Sequence, residues 1–500
     1  MTNIYSMTNP IIYNKTIDDI ETIITRSLSV NQENKVSAGE VFTPLWLVSE
    51  MLDSLPKRLW NNPSLKWLDP GSGIGNFSMV VFHKLDNGLK SWEKNDAKRR
   101  KHIIQNMMYM IELSSVNVKI AKNIFGKEAN IIENDYLDDI QKWQSKFGVD
   151  QFDIIFGNPP YNKNGMRGKG RSNPGLTNIW NKFVELSISI MKPNGFCLFF
   201  TPNSWTELKS SVSKKIIEKQ LVLLKNFDVP TAYKIFDKKA GSLPLCYYLI
   251  ENKKPYQETM IYDDLTSQFI SFDVYKYHFI PNKNIQLVKR VLQKSTKNLK
   301  TFFKFTPPKV KKDTEMYFDT YSKSHPYPLL NYVHKKIYVS FSTEPSKLQD
   351  GRPKLILPNY SMGYPILDEK GILDVGGRTS YVIYVDDNKI DNLRKIQSFF
   401  LTDLALTLIN SLKTAQKFLS TRTFTLFPDV TDWELSNIND KYLEKYFKLN
   451  DSDKQLIQEQ LLHGEGNLTD GRRKEILQFD LTNYISSTNI SEIVKFVSQK

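Results

Sequence analysis

A short rigid loop, Gly157-Asn-Pro-Pro-Tyr161, carries the clearest chemistry in the sequence. Pro159 and Pro160 fix φ and exclude helix directly after a predicted strand. Asn158 presents a side-chain carbonyl there, and Pro159 presents a main-chain carbonyl. An aryl or amide NH2 is a poor nucleophile because its lone pair is delocalised, and two acceptors that take its hydrogens draw the nitrogen towards sp3. The loop therefore predicts activation of an amino nitrogen; the alternative is a strand-ending turn with a packed tyrosine.

A second constellation follows an earlier predicted strand, in the segment Asp69-Pro-Gly-Ser-Gly-Ile-Gly-Asn-Phe77. Gly71 and Gly73 permit tight turns and close approach of a ligand to the backbone. Asp69 itself falls at the carboxyl end of its strand, where open α/β sheets bind ligands. At the next two strand ends, Glu112 can accept both ribose hydroxyls of a nucleoside, and Asp135 can accept from an adenine amino group.

The spacing of these acids argues against a dinucleotide site. A dinucleotide fingerprint places its acid about 20 residues after the glycines and directs a helix N-terminus at pyrophosphate. Here Glu112 lies about forty residues after the glycine segment, and no phosphate is needed. Each acid alone could be a strand cap, but together they predict a site for a nucleoside that carries a sulfonium.

The chain alternates apolar runs with amphipathic stretches over residues 36–255, which predicts an α/β domain with a largely parallel sheet. Residues 1–35 predict a helical extension, with Ile17, Ile20, Ile23 and Ile24 at helical spacing. The predicted strands are Leu65–Asp69, Met107–Glu112, Ala129–Glu133, Phe152–Gly157, Gly195–Thr201, Leu221–Phe227 and Leu243–Ile250. The predicted helices between them include Asn76–Lys84, Ser114–Phe125 and Asn178–Met191.

The pattern of apolar and charged residues changes beyond residue 255. Residues 256–312 predict a basic linker, because Pro281 to Lys312 contains ten Lys or Arg and no Asp or Glu. That segment is either a phosphate-tracking surface or an ordinary solvated helix and linker. Residues 313–500 predict a second, mixed α/β domain, with strand signals at Lys354–Pro358 and Thr379–Asp386 and helical stretches at Asn392–Leu412 and Asp453–Leu462.

Composition restricts the class of protein. The 500 residues carry a formal net charge of +14 and 40% hydrophobic residues, which suits folded domains with a polyanionic partner. We expect a cytoplasmic protein without a signal peptide or membrane span, associated with the nucleoid if the source is prokaryotic. Cys197 and Cys246 lie in apolar runs, which indicates buried, reduced thiols, and we expect no metal site.

The glycine segment followed by Asn-Pro-Pro-Tyr resembles the gamma class of amino-methylating DNA methyltransferases. That resemblance implies a Rossmann-like seven-stranded sheet ending in a reversed hairpin, a C-terminal target-recognition domain, and S-adenosylmethionine as cofactor. It implies catalytic roles for Asn158, Pro159, Pro160 and Tyr161, and a base-sandwiching role for Phe236, which could also be plain core. The implied cofactor contacts are Thr43, Pro44, Asp69, Gly71, Gly73, Phe77, Glu112, Asp135, Tyr136 and Asn158.

Several residues predict which group accepts the methyl group. Neither cysteine follows a proline in a catalytic-looking loop, which excludes cytosine-C5 chemistry. Cytosine-N4 enzymes usually carry Ser in place of Asn158, so adenine-N6 in duplex DNA is favoured, with the base flipped out of the helix. RNA or protein glutamine methylation, and a binding-only protein with the same fold, remain the alternatives.

Candidate DNA contacts are basic residues, four of them in the glycine-rich loop Asn162–Pro174, which could equally be a plain surface loop. They are Lys163, Arg167, Lys169, Arg171, Arg352, Arg378 and Arg422. Glu33-Asn-Lys35 loosely resembles a nuclease pattern, but about 35 preceding residues are too few for a nuclease core. We therefore expect a monomer that modifies without cleavage, with any cognate restriction endonuclease on a separate chain.

Overall fold

The computed structural model describes residues 10–16, 19–20, 22, 43–162, 178–236, 243–264, 266–295, 297–299, 303–305, 317–333, 336–358, 365–376, 380–385, 389–412, 427–435, 438–463 and 469–498. The chain divides into two compact units, Met1–Ile280 and Pro281–Lys500. Most of the N-terminal helix predicted over 1–35 lies outside the described residues, although Ile20 is described and is buried in the core of the first unit. No helix in the described ranges has the length and apolar character needed to cross a membrane.

The first unit is built on one mixed sheet, whose strands run in the order β3-β2-β1-β4-β5-β7-β6-β8-β9. The strands are β1 Trp67–Asp69, β2 Met108–Glu112, β3 Asn130–Glu133, β4 Phe152–Gly157, β5 Met191–Pro202, β6 Gln220–Phe227, β7 Leu245–Glu251, β8 Thr259–Asp263 and β9 Gln268–Phe272. The five neighbouring strands β3, β2, β1, β4 and β5 all run parallel to one another. Strand β7 then runs antiparallel between β5 and β6.

The predicted fold class is confirmed, and the first seven strands match the predicted ones to within a few residues at most ends. The sheet differs from the expected seven strands because β8 and β9 extend it. These two strands lie in the segment predicted as a basic linker, and the boundary between units falls at residue 280 instead of 255. Strand β8 alternates buried and more exposed side chains, a period-two pattern typical of a strand.

Helices cover the sheet of the first unit: α1 Leu45–Asp53, α2 Asn76–Gly88, α3 Asp96–His102, α4 Ser115–Phe125, α5 Ile140–Phe147, α6 Trp180–Ile190, α7 Ser211–Ile217, α8 Val229–Phe236 and α9 Val274–Tyr277. Local sequence sets their ends. Helix α4 begins where Ser114 Oγ accepts from the Asn117 amide at 3.4 Å, and ends at Gly126 with φ 94°, as N-cap serines and C-terminal glycines favour. All residues of β1 and β2 are buried, as expected for parallel strands covered on both faces.

The second unit combines two small sheets with helices. Its strands are β10 Phe303–Phe305, β11 Tyr317–Phe318, β12 Tyr327–Val333, β13 Lys336–Ser342, β14 Lys354–Pro358, β15 Ile366–Asp368, β16 Asp374–Val375 and β17 Ser380–Ile383, in the orders β10-β17-β14-β15 and β11-β13-β12-β16. Its helices are α10 Ile285–Lys294, α11 Ile390–Phe400, α12 Asp403–Leu412, α13 Asp440–Phe447, α14 Asp451–His463, α15 Asp470–Leu477 and α16 Ser487–Ser498.

Part of the basic segment that begins at Pro281 is folded into the second unit. Its helix α10 is amphipathic, and Arg290 pairs with Asp453 at 3.2 Å. Lys294 Nζ donates to the Tyr446 carbonyl and lies 4.8 Å from the ring of that residue, while Lys297 pairs with Asp432 at 2.7 Å. These charges therefore hold α10 and the residues after it onto the second unit, which differs from the predicted free linker.

One buried ion pair organises the second unit. Lys354 on β14 and Asp368 on β15 are both almost fully buried, with Nζ and Oδ2 2.7 Å apart. Asp368 also accepts from the amides of Ile372 and Leu373 at 3.2 and 2.7 Å. The carboxylate thus fixes the turn that follows β15, and the ammonium is satisfied by it and by the Leu348 carbonyl at 2.7 Å.

Replacing Asp368 by Ala should destabilise the second unit by about 3–5 kcal/mol, because a buried ammonium loses its counter-ion. Asp391→Ala is the matched control, since that carboxylate pairs with Arg394 on the surface and should cost about 1 kcal/mol or less. Urea unfolding of both variants measures the difference. Equal losses would contradict a stabilising role for the buried pair.

Candidate active site

The carboxyl ends of adjacent parallel strands bring the predicted site residues together. Strand β1 pairs with β2 on one side and with β4 on the other, so the loops after Asp69, Glu112 and Gly157 leave the same edge of the sheet. Strand order reverses here, because β2 and β3 extend one way and β4 and β5 the other. Open α/β sheets bind ligands at such a switch point.

Asp69 is the most perturbed acid of this edge. It is 1% exposed, and its Oδ2 accepts from Ser78 Oγ at 3.0 Å. Burial raises the pKa of Asp69 to about 7, against the opposing effect of hydrogen bonds from Ser78 and the Gly71 amide. Its other oxygen, Oδ1, is buried without a hydrogen-bond partner. A Cβ at Gly157, where φ is 144°, would lie 3.0 Å from that oxygen. The glycine therefore leaves room for the carboxylate beside residues 158–161, the predicted catalytic residues, which we call the catalytic loop.

Glu112 ties the end of β2 to the glycine loop. Its Oε2 accepts from the Gly73 amide at 2.9 Å, and its Oε1 accepts from the Ser114 amide and from Asn117 Nδ2 at 2.8 and 3.3 Å. A carboxylate has roughly four acceptor positions, and three of them are filled here. Glu112 therefore has capacity for about one more hydrogen bond, fewer than the two ribose hydroxyls expected from the sequence.

The glycine loop is held in a tight curve over the ends of β1 and β2. The Ser72 amide donates to the Ile111 carbonyl at 3.1 Å, and the Gly75 amide donates to the Ser72 carbonyl at 2.8 Å. Gly73 and Gly75 have φ of 54° and 102°, a region that favours glycine. Ser72 Oγ is buried without a hydrogen-bond partner. The curve therefore leaves a buried hydroxyl available at the sheet edge.

The catalytic loop begins directly after β4. Asn158 donates from Nδ2 to Thr43 Oγ1 at 3.1 Å, and its Oδ1 is buried with no hydrogen-bond partner. A Cβ on Gly71 would lie 3.5 Å from Pro160 Cδ, which places the two loops in contact. Burial raises the pKa of the Tyr161 hydroxyl, and the ring packs against the hydrophobic core. An unfilled carbonyl acceptor thus lies beside the glycine loop.

Three predicted site residues lie in the packed interior. Tyr136 is 1% exposed and its hydroxyl hydrogen-bonds with Ser187 Oγ at 2.9 Å. Phe77 belongs to the core cluster, and Phe236 is 4% exposed with its ring centroid 5.3 Å from that of Phe200. In this conformation none of the three presents an open ring face to a ligand, because each is packed against neighbouring side chains. The structure thus differs from their predicted contacts.

The other predicted residues divide into described and undescribed positions. Pro44 precedes α1, and its carbonyl accepts from the Leu47 and Val48 amides at 3.0 Å each. Asp135 is exposed at the end of β3, and its Oδ1 accepts from the Leu137 amide at 2.9 Å. Arg352 pairs with Asp350 at 2.7 Å and lies 4.3 Å from the Tyr384 ring. The remaining predicted DNA contacts, Lys163, Arg167, Lys169, Arg171, Arg378 and Arg422, lie outside the described residues.

Several side chains that hold the site together were missed by the sequence analysis. Ser78 fixes Asp69, Asn117 fixes Glu112, and Asn76 Nδ2 donates to the Thr43 carbonyl at 3.3 Å. Asn76 is part of the glycine segment and Ser78 directly follows it, so both residues could have been predicted to lie on the first turn of the helix that begins there. Asn117 lies five residues after Glu112, on the first turn of the helix that the sequence predicted.

Comparison with known proteins shows which proteins the part of the chain that holds this site is similar to. Residues 13–236 match the model of the Eco57I restriction-modification methylase. An uncharacterized adenine-specific methylase of Mycoplasma pneumoniae is 24% identical over 44% of this chain and 68% of its own length. The type II methyltransferase M.BsuBI of Bacillus subtilis is 25% identical over 37% of this chain and 38% of its own length.

Residues 13–236, a little under half of the chain, are therefore similar to adenine-specific restriction-modification methyltransferases. Solved structures similar to this methyltransferase chain include the type I restriction enzyme EcoKI M protein, with 14% identity over 44% of this chain and 48% of that chain and a TM-score of 0.34. The type IIL restriction-modification enzyme MmeI in complex with DNA has 11% identity over 91% of this chain and 72% of that chain, with a TM-score of 0.44.

A cavity of about 430 Å³ lies wholly within the second unit of this methyltransferase. Its lining mixes acids and bases, including Asp368, Glu369, Lys370 and Arg394. None of its lining residues belongs to the glycine loop or the catalytic loop. The cavity therefore contains none of the predicted cofactor-binding or catalytic residues.

The raised pKa of Asp69 predicts a pH-dependent stability. A carboxyl with a folded-state pKa near 7 and an ordinary unfolded value of 3.8 binds its proton more tightly when folded. The wild type should therefore lose stability relative to Asp69→Asn as pH rises from about 4 to about 7, by up to roughly 4 kcal/mol. Urea unfolding of both proteins without cofactor, at pH 4 and pH 8, measures this. A constant difference between the two would contradict a buried, titrating Asp69.

Proposed function

We propose that the whole chain is a site-specific DNA methyltransferase that moves a methyl group from S-adenosylmethionine to N6 of an adenine flipped out of duplex DNA. The observation that carries the proposal is the buried, unpartnered Oδ1 of Asn158 beside the glycine loop. A buried carbonyl without a hydrogen-bond donor lowers the stability of the folded protein by about 1–3 kcal/mol. A substrate amino group would supply the missing donor and so regain that free energy.

The residues at the sheet edge fit S-adenosylmethionine. Asp69 Oδ1 and Ser72 Oγ are buried without hydrogen-bond partners, and a ligand with amino and hydroxyl donors would satisfy both. Glu112 has room for one ribose hydroxyl beside the Gly73 amide, and Asp135 stays our candidate for the adenine amino group. Bound there, the cofactor supplies an electrophilic methyl group on a sulfonium.

Asn158 and Pro159 would act on the acceptor nitrogen. The Asn158 Oδ1 and the Pro159 carbonyl each accept one hydrogen of the amino group, so the nitrogen lone pair is freed for in-line attack. The group released would be a neutral thioether, and the methylated nitrogen, once cationic, would be acidic enough to lose its extra proton to water, so a strong general base is unnecessary. Positioning and preorganised dipoles therefore supply most of the acceleration.

The DNA substrate is supported by the names and matches of the relatives and by the basic composition of the chain. A base within a duplex cannot reach the pocket, so flipping is required. Tyr161 offers the stacking ring. Phe236 could join it only if α8 moved, because its ring is packed on Phe200. The loop 163–177 and the second unit are our candidates for contacts to the DNA.

The relatives also support a place in a restriction-modification system. We propose that the protein is a cytoplasmic monomer and that any cognate endonuclease is a separate chain. RNA and protein amides pose the same chemical problem at the acceptor nitrogen. Identification of the methylated product among duplex DNA, RNA and protein offered in parallel separates these substrates.

Replacing Asn158 by Ala should lower methyl transfer to duplex DNA at least tenfold, about 1.4 kcal/mol or more in transition-state free energy. The reason is that one of the two acceptors of the amino group is lost. Transfer of label from S-adenosylmethionine, with identification of N6-methyladenine in the product, is the measurement. Asn87→Ala is the control, because Asn87 is exposed near the far end of α2. Full activity of the Asn158 variant would remove that residue from its proposed role.

We expect methylation without cleavage. Plasmid DNA incubated with the protein, magnesium and S-adenosylmethionine should acquire methyl groups and stay intact, because the proposed chemistry transfers a group and breaks no phosphodiester bond. Gel electrophoresis checks that the plasmid stays intact, and label transferred from S-adenosylmethionine to the same plasmid measures its methylation. Discrete fragments would show a second activity and overturn this part of the proposal.

A further inference from the structure

The hydrogen bond between Asn158 and Thr43 holds the Asn158 side chain at the edge of the sheet. The Asn158 Nδ2 donates to Thr43 Oγ1 at 3.1 Å, while Oδ1 is buried without a partner. In the opposite orientation, the Asn158 Nδ2 would face the amino group of the substrate. Both groups are hydrogen-bond donors, so no hydrogen bond could form between them. Only one of the two orientations can therefore support the proposed reaction.

Thr43 is itself firmly held. Its side chain is 3% exposed, and its carbonyl accepts from Asn76 Nδ2 at 3.3 Å. Helix α1 begins two residues later, and Glu50 on this helix accepts from Lys225 Nζ and from the Tyr247 hydroxyl at 2.7 and 2.9 Å. The sheet and the start of α2 therefore both fix the backbone on which the Thr43 hydroxyl sits.

We propose that Thr43 is a positioning residue that holds the Asn158 side chain in the conformation in which its carbonyl faces the acceptor nitrogen. This inference rests on the proposed function, and it assigns the Thr43 hydroxyl to Asn158 instead of to the cofactor, as the family resemblance had implied. The threonine hydroxyl oxygen takes the Nδ2 hydrogen, so the amide does not have to be reoriented when the substrate enters. Such preorganisation acts on the chemical step and not on cofactor binding.

The test compares Thr43→Val, which keeps the shape and removes the acceptor, with Thr43→Ser, which keeps the hydroxyl. At saturating S-adenosylmethionine and duplex DNA, the Val variant should lose about fivefold to tenfold in kcat, in line with one net hydrogen bond. Its KM for the cofactor should stay within about twofold, and the Ser variant should recover most of the activity. Thr43→Ala serves the same purpose if the Val variant does not fold.

A matched control is Thr259→Val on β8. Thr259 is fully buried, and its hydroxyl donates to the Leu221 carbonyl at 2.9 Å. It begins a strand that runs parallel to β6, so it lies at the sheet edge opposite the catalytic loop. This variant should lower the melting temperature while leaving kcat unchanged, which separates loss of a buried hydroxyl from loss of amide orientation.

A double-mutant cycle sharpens the test. In an Asn158→Ala background there is no amide side chain for Thr43 to hold. Thr43→Val should then change the residual kcat less than about twofold. An equal loss in both backgrounds, or a rise in cofactor KM with kcat unchanged, would overturn the proposal. Absence of methyl transfer to DNA by the wild-type protein would instead refute the proposed substrate.

Discussion

The pairing of β1 with β4 is the constraint on which the rest of the site depends. Leu68 lies opposite Ile155 in this parallel pair, so the strands end together and release the glycine loop and the catalytic loop side by side. A slip of one residue would turn every side chain of β4 to the other face. The buried, apolar faces of both strands oppose that slip, and Gly157 allows Asp69 to reach the junction without a clash.

The same edge carries a cost in the absence of a ligand. Asp69 is buried with one oxygen unpartnered, and Ser72 Oγ and Asn158 Oδ1 are likewise buried without partners. Each buried polar group without a hydrogen-bond partner lowers the free energy of unfolding by about 1–3 kcal/mol. Their concentration at a strand-order switch point, together with the raised pKa of Asp69, is typical of a binding site and not of a surface loop. The core of the first unit must offset this cost.

Much of the first unit could be predicted from the sequence, because hydrophobic periodicity and turn residues determine where strands begin and end. The seven predicted strands and the glycine and Asn-Pro-Pro-Tyr loops fall where expected. The extra strands β8 and β9 were missed because each is only five residues long and both lie in a segment assigned to a linker on the basic run that follows it. Phe236 and Tyr136 were placed in the site because their type and position fit, but the local pattern cannot tell an aromatic ring that faces a ligand from one that packs on Phe200 or hydrogen-bonds with Ser187. The basic segment was predicted as free because partners such as Asp453 are remote in sequence.

The unpredicted part of the site consists of contacts between distant segments. Thr43 and Asn158 are 115 residues apart, and Glu50 and Lys225 are 175 apart. No local pattern encodes such pairs, since each depends on which helix covers which strand. They matter because a side chain at the edge of a sheet can change rotamer unless a neighbour holds it. The strand and the prolines place Asn158 at the edge of the sheet, and the hydrogen bond to Thr43, from a distant segment, holds its amide in one conformation.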